Sequence, residues 1–133
     1  MSRLLLPGLV VLGLFAGCSQ SETVPVTGTV MLDGQPAANA DVIFTPTKGR
    51  VASGHTDASG RFTLSTLKPD DGAVPGEHKV TVVEYYPPGK PPPMTPSGAP
   101  SRFPANYAET TQTPLKVTVE RGAKNDFTLE VKK

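Results

Sequence analysis

The sequence predicts an all-β domain, a sandwich built from seven short strands. Apolar residues recur at every second position in several short stretches, which is the pattern of strands with one buried face. Turn residues separate these stretches about every 8 to 12 residues, a spacing typical of sandwiches. The 133 residues include 13 glycines and 15 prolines, and no apolar pattern of helical period extends over a useful length. These observations favour strands over helices throughout.

Residues 1–17 predict a signal peptide. Arg3 gives a positive start, and Leu4 to Phe15 form an apolar run of twelve residues. A membrane-spanning helix needs about 20 apolar residues, so this run fits a secretory signal better than a membrane span. The stretch Phe15-Ala16-Gly17-Cys18 resembles the lipobox of bacterial lipoproteins.

The lipobox resemblance implies that the sulfur of Cys18 carries diacylglycerol and that the preceding peptide is removed. Acyl chains on Cys18 would anchor the domain, because each buried methylene contributes about 0.8 kcal/mol. Residues 18–23 are then a lipidated tether, and membrane lipid is the first predicted partner. In bacterial lipoproteins an aspartate after the cysteine usually marks inner-membrane retention, so Ser19 favours the outer membrane. We therefore expect an extracytoplasmic, lipid-anchored protein.

The first strand is expected from Val24 to Leu32. Its apolar side chains share one face, with Gly28 in the middle of that face: Val24, Val26, Val30 and Leu32. Asp33-Gly34 is a turn dipeptide, and a second strand follows over residues 41–45 with Phe44 facing inward. We predict that these two strands form an opening hairpin.

Three further strands are predicted in the middle of the chain: Val51–Thr56, Arg61–Leu67 and Glu77–Tyr85. A tight turn at 57–60 joins the first two, since the Asp57 carboxylate can accept main-chain N–H bonds and Gly60 tolerates positive φ. The strand at 77–85 carries valines on both faces, which is typical of a central strand. Two last strands, at 114–120 and 125–131, are predicted to close the chain as a hairpin.

Residues 86–104 form a proline-rich loop, with eight prolines in 19 residues. Proline is excluded from helices and ladder strands, so stretches of polyproline II are expected. We interpret the loop as a solvated insertion that could serve as a semi-rigid docking arm, since polyproline II has little freedom left to lose on binding. The candidate partner-binding residues are prolines of the loop and the aromatic residues near it: Tyr85, Tyr86, Pro91, Pro92, Pro93, Phe103 and Tyr107.

Four stretches resemble the carboxypeptidase regulatory-like domain: GTVMLDGQPAANADVIFTP from residue 28, GHTDASGRFTL from 54, GAVPGEHKVTV from 72 and FPANYAETTQTPLKVTVERGAKNDFTLEV from 103. The resemblance implies a seven-stranded Greek-key sandwich of the transthyretin-like (prealbumin-like) type over residues 24–133, related to Cna B-type repeats. In that family the domain is typically non-catalytic. The resemblance therefore implies no enzymatic activity and no cofactor.

Candidate residues for chemistry are few. His55, Asp57 and His78 have side chains that suit zinc, but they fall on separate turns and strands, so we expect exposed polar residues and no metal site. The sequence lacks the C-terminal Tyr-Arg-Gly-Ser of transthyretin-like hydrolases and the His-x-His pair of intradiol dioxygenases. Lys79 and Asn125 have the residue types of an isopeptide bond, as in some Cna B-type domains, but no pattern brings them together.

The formal net charge is +1 and the basic residues do not cluster, so nucleic acid is excluded as a partner. We expect a lipid-anchored lipoprotein of the cell envelope that acts as a non-catalytic structural or protein-interaction module. Its partner would be an envelope protein or polysaccharide. The alternative is a lipoprotein that binds envelope carbohydrate or peptide as a ligand, and an enzyme accessory domain is less favoured.

Overall fold

A computed structural model describes residues 22–93 and 100–133 of the chain. In chain order the elements there are β1 (Thr27–Leu32), β2 (Gln35–Pro36), β3 (Ala40–Pro46), β4 (Ala52–His55), β5 (Arg61–Thr63), β6 (Gly76–Glu84), the 3-10 helix η1 (Ala105–Ala108), β7 (Lys116–Val119) and β8 (Asp126–Val131). No helix within these two ranges is long and apolar enough to cross a membrane. The predicted signal peptide, Cys18 and Ser19 lie outside the described residues.

The strands form two four-stranded sheets, which confirms the predicted all-β class. In the first sheet β1 is central. β8 runs parallel to it along one side, and β5 and β2 pair antiparallel with the two halves of its other side. The second sheet has the order β4-β3-β6-β7, with antiparallel neighbours throughout.

The core lies between the two sheets, with Phe44 of β3 at its centre. The Phe44 ring lies near the rings of Phe62, Phe127 and His78, with centroid separations of 6.2, 6.1 and 5.6 Å. Buried aliphatic side chains surround it from both sides: Val26, Val30, Val42, Leu64, Val80, Val82, Val119, Leu129 and Val131. The inward faces predicted from the alternation of apolar residues are confirmed at these positions.

Both predicted hairpins are wrong, because each would join strands that lie in different sheets. β1 belongs to the first sheet and β3 to the second, while β7 belongs to the second and β8 to the first. Alternation of apolar residues indicates which face of a strand is buried, but it does not identify the neighbouring strand. In both cases the connecting segment crosses from one sheet to the other.

Two predicted turns are confirmed. Asp33 and Gly34 have φ values of 48° and 83°, and they lead from β1 into the two-residue strand β2. At the second turn, Asp57 Oδ1 accepts main-chain N–H bonds from Ser59 and Arg61, at 2.8 and 3.0 Å. At this second turn a short polar side chain thus satisfies main-chain groups between β4 and β5.

The ends of β6 separate two poles of the molecule. Val24 pairs with Ala73, three residues before β6 begins, so the described chain starts at this pole. We call it the N-terminal end, and it also carries the loops at 47–51, 64–75 and 120–125. The proline-rich loop follows the last residue of β6, at the opposite pole, which we call the loop end. The nine residues of β6 separate the two poles by roughly 30 Å.

Candidate functional site

The proline-rich loop is closed at its base by an ion pair. The guanidinium of Arg102 donates to both carboxylate oxygens of Glu84, with Nε–Oε1 at 2.8 Å and Nη2–Oε2 at 3.0 Å. The main-chain N–H of Arg102 also donates to Oε1, at 2.7 Å. Nη2 further donates to the carbonyl oxygens of Ala38 and Asn39, at 2.7 and 3.3 Å. This Glu84–Arg102 clamp joins the two ends of the loop to the segment between β2 and β3.

The clamp is a charged pair at ordinary pH. Burial acts to raise the pKa of Glu84, but the hydrogen bonds and the charge of Arg102 outweigh it and lower that pKa below its usual range. The hydrogen bond to Glu84 likewise raises the pKa of Arg102. A bidentate pair of this geometry is directional as well as attractive, so it holds the return segment of the loop in one position.

A second contact and a groove lie beside the clamp. The Tyr86 hydroxyl donates to the carbonyl oxygen of Pro100 at 2.9 Å, which brings together residues on either side of the loop tip. A largely apolar groove of about 350 Å³ runs between the end of β6 and η1, with Val83, Phe103 and Ala105 in its walls. The base of the loop is therefore an ordered part of the domain.

The predicted partner-binding residues divide into an exposed and a buried set. Pro91 and Pro93 are exposed, and Tyr85, Tyr86 and Pro92 are partly exposed. Phe103 and Tyr107 are only 5% and 6% exposed and belong to the hydrophobic core, so they do not present the aromatic surface expected of them. The physical reason is that the segment after the loop folds back as η1 against β6, which buries both rings.

Tyr85 turns toward a second, polar groove. Its ring stacks on His55, with centroids 4.1 Å apart and the ring planes at 6°. His55 lies opposite Asp41 in the pairing of β4 with β3. Burial raises the pKa of Asp41, and the charge of His55 offsets part of that rise. Asp41 and His55 line a groove of about 510 Å³ along β4 and β5. Its other walls carry hydroxyls and charged groups: Ser53, Asp57, Arg61, Thr63, Ser65 and Asp70.

His78 is buried in the core, contrary to the exposed position expected for it. Its Nε2 lies 2.7 Å from the carbonyl oxygen of Val74 and therefore carries the proton, while Nδ1 has no hydrogen-bond partner among the described residues. His55 and Asp57 line the polar groove instead, so His78 does not join them. Within 22–93 and 100–133 no three His, Cys, Asp or Glu side chains are placed to hold a metal ion.

The side chain of Asn125 is engaged inside the loop between β7 and β8. Its Oδ1 accepts the N–H of Glu120 at 3.0 Å, and its Nδ2 donates to the carbonyl oxygens of Glu120 and Ala123 at 3.0 and 3.3 Å. Lys79, the other residue considered for an isopeptide bond, is exposed. The amide of Asn125 thus caps a loop.

Reasoning from the sequence missed Glu84 and Arg102. The two residues are 18 positions apart and belong to no motif, so no local pattern pairs them. The one available signal is a charged residue at each end of a proline-rich stretch that must return to its starting point. The stack of His55 on Tyr85 likewise joins residues from different strands and has no sequence signature.

No protein-family model, curated protein or solved structure matches the chain.

Proposed function

We propose that this chain is a lipid-anchored, non-catalytic interaction module of the cell envelope, with the proline-rich loop as its contact surface. The observation that carries the proposal is the position of the loop. The described chain starts at one pole of the sandwich, and the loop leaves and rejoins the sandwich at the other, roughly 30 Å away along β6. An anchor at Cys18 would therefore hold the N-terminal end near the membrane and turn the loop away from it.

The base of the loop favours binding. The Glu84–Arg102 clamp and the bond from Tyr86 to Pro100 fix both ends, so less conformational entropy is lost when a partner engages the tip. The exposed prolines Pro91 and Pro93 add a segment whose main chain is already restricted. The partner in this proposal is an envelope protein or polysaccharide.

Further proposals concern the fold family and the membrane. Without the two-residue β2, seven strands remain in the described part of the chain. We propose that these seven form the Greek-key sandwich of transthyretin-like domains, and that the chain is a carboxypeptidase regulatory-like domain. The four sequence stretches that resemble this family support the assignment. The lipobox-like stretch before Cys18 supports the anchor, and Ser19 favours the outer membrane.

The anchor is tested by the mass and location of the protein expressed with its native N-terminus. We expect a mass that fits acylated residues 18–133 in the membrane fraction, and a soluble product from Cys18→Ala. An unacylated soluble product from the parent chain would contradict the anchor.

The loop is tested by replacing residues 88–99 with a Gly-Ser segment of equal length. Tyr86, Pro100 and Arg102 stay in place, so we expect the melting temperature to change little. A photo-crosslinker at position 91 should give a discrete product in intact cells. The crosslinker at position 124, on the N-terminal end, is the matched control and should not give that product. The same products from both positions would contradict a role for the loop.

Saccharide binding is the second candidate function, and the polar groove is the observation that favours it. Its hydroxyl and carboxylate groups suit the hydroxyls of a saccharide, and Tyr85 holds the His55 ring in the wall. Asp41→Asn and Ser53→Ala should weaken the binding of envelope polysaccharide fragments, as measured by calorimetry. The Gly-Ser loop variant should bind these fragments as tightly as the parent chain does. Equal binding by all variants would contradict this function.

A further inference from the structure

Two large apolar side chains are exposed among the described residues, and both belong to loops of the N-terminal end. Leu67 is 57% exposed and Val51 is 49% exposed. The other large apolar side chains of the described ranges are at least partly buried. Single exposed apolar residues are common on protein surfaces, so their position relative to one another matters more than their number.

A single bridge joins the two chain segments that lead to these residues. Ser53 and Ser65 form an antiparallel bridge, with N–O distances of 3.0 and 2.9 Å in the two directions. Val51 lies two residues before Ser53, and Leu67 lies two residues after Ser65. The ladder does not continue past this bridge, because the chain bends at residues 66–68 and the Leu67 N–H donates to Asp71. Each of the two apolar residues nevertheless lies only two positions from the same bridge. Because the bridge joins the two sheets, Val51 and Leu67 both lie near the line where the sheets meet.

The loop that presents Leu67 is fixed by Asp71. Its Oδ1 accepts the N–H of Thr66 at 2.6 Å, and its Oδ2 accepts those of Leu67 and Lys68 at 2.9 and 3.0 Å. Burial opposes the ionised form, but these bonds prevail and lower the pKa of Asp71. Leu67 is thus held outward by an ordered loop.

The start of the described chain lies beside the same loop. Glu22 and Pro25 line a mostly apolar groove of about 330 Å³ together with Leu67. Four residues separate Cys18 from Glu22, and they span at most about 14 Å. Charges of both signs surround the apolar pair. The exposed basic residues Lys48, Arg50 and Lys68 lie on its two loops, and Glu22, Asp70 and Asp71 line the groove beside Leu67.

We infer that Val51 and Leu67 form a membrane-docking surface, which we call the Val51–Leu67 patch. The inference rests on the proposed lipid anchor at Cys18, and the occupant of the patch is the surface of the bilayer that holds this anchor. A short tether leaves the patch within reach of the headgroups, where exposed apolar side chains can insert. The domain would then stand on its N-terminal end.

Single-cysteine labelling tests the patch in the acylated chain. The chain has one cysteine, Cys18, which acylation blocks, so a cysteine introduced elsewhere is the only free thiol. An environment-sensitive fluorophore is attached to Leu67→Cys or, as the control at the loop end, to Lys90→Cys. The protein is reconstituted in vesicles of phosphatidylethanolamine and phosphatidylglycerol, with and without a lipid-borne quencher. We expect blue-shifted emission and loss of most fluorescence at 67, and neither at 90.

A label-free measurement is also needed, because an apolar fluorophore can insert into the bilayer on its own and give the same spectral shift. Hydrogen exchange of the native acylated chain on vesicles should slow in residues 47–51 and 66–72, compared with the Cys18→Ala chain in solution. The Leu67→Ser/Val51→Ser double variant should lose this protection, and the matched Pro91→Ser/Pro93→Ser variant should keep it.

The outcomes separate the inference from the proposed function. An acylated, vesicle-bound chain with an unquenched label at 67 and unprotected loops would overturn the docking surface and leave the anchor intact. A chain whose mass lacks the acyl groups would overturn both. Equal protection in the double variant and its control would also overturn the role of Val51 and Leu67.

Discussion

Thr56 illustrates how a single hydroxyl holds the loop end together. It is 2% exposed, and its Oγ1 donates to the carbonyl oxygen of Ala37 at 2.6 Å. The same oxygen accepts the N–H of Ala40 at 2.9 Å. One side chain therefore satisfies a main-chain acceptor in the segment between β2 and β3 and the main-chain donor at the start of β3. The same segment accepts hydrogen bonds from Arg102.

Removal of this hydroxyl should be costly, because it leaves two buried main-chain groups without partners. We expect Thr56→Val, which keeps the shape, to lower the free energy of unfolding by about 2 to 4 kcal/mol. Thr56→Ser keeps the hydroxyl and should cost less, by roughly the loss of one methyl group. Urea unfolding of the two variants checks this, and equal losses would show that the hydroxyl is not what stabilises the segment.

Gly28 shows what the sequence can and cannot predict at the residue scale. Alternation places it in the middle of an inward face, but the reason for a glycine there is not visible in the chain. In the structure an added Cβ would lie 2.5 Å from a ring carbon of Phe62 and would also strike the carbonyl oxygen of Phe127. The missing side chain makes room for a ring from β5 and for the close approach of β8.

The clamp is the element-scale feature that responds to pH. The pKa of Glu84 is lowered in the folded state, so its carboxylate stabilises the fold above the ordinary value of 4.5. That contribution is lost as the pH falls through the lower, folded-state pKa. At pH values above 4.5 both Glu84 and Arg102 are charged, and the ion pair holds the base of the loop.

Glu84→Gln should therefore lower the free energy of unfolding at pH 7 by about 1 to 2 kcal/mol, and the melting temperature should fall with it. The difference in stability from the parent chain should narrow as the pH falls below about 4.5, because the Glu84 carboxyl of the unfolded parent chain protonates there. It should be smallest once the pH lies below the lowered pKa of the folded parent chain as well. Thermal melts between pH 7 and pH 3 measure this, with the exposed Glu109→Gln as the control. A deficit that stays constant with pH would contradict a charged clamp.

At the element scale seven of the eight strands in the described part of the chain were predictable, although the strand predicted over Arg61–Leu67 ends at Thr63 and the two-residue β2 was missed. The pairing of the strands was not predictable. Leu129 and Val131 alternate with polar residues and are buried as expected. Their strand, β8, nevertheless pairs in parallel with β1, about 100 residues earlier in the chain. The burial of Phe103 and Tyr107 was missed for the same reason. The local sequence around an aromatic residue near a loop does not show whether its ring faces solvent or packs onto the sheet.

At the scale of the whole molecule, the two poles were not predictable from the sequence. Which loops share a pole depends on strand directions, and these follow from the pairing that alternation leaves open. Once β6 is placed, the start of the described chain and the two ends of the proline-rich loop fall at opposite poles, and Val51 and Leu67 lie at the pole where the described chain starts. The functional proposal depends on this arrangement more than on any single residue.

Energy transfer from the protein to the bilayer measures the arrangement directly. A donor at Lys90→Cys on the loop should lie roughly 30 Å farther from acceptor-labelled lipids than a donor at Lys124→Cys on the N-terminal end. Transfer from position 124 should therefore be strong and transfer from position 90 weak. A flexible insertion between Ser21 and Glu22 should reduce this contrast, because a longer tether lets the domain tumble. Equal transfer from both positions in the parent chain would mean that the sandwich lies on its side. The loop would then be no nearer to a distant partner than any other surface, and position alone could not explain its function.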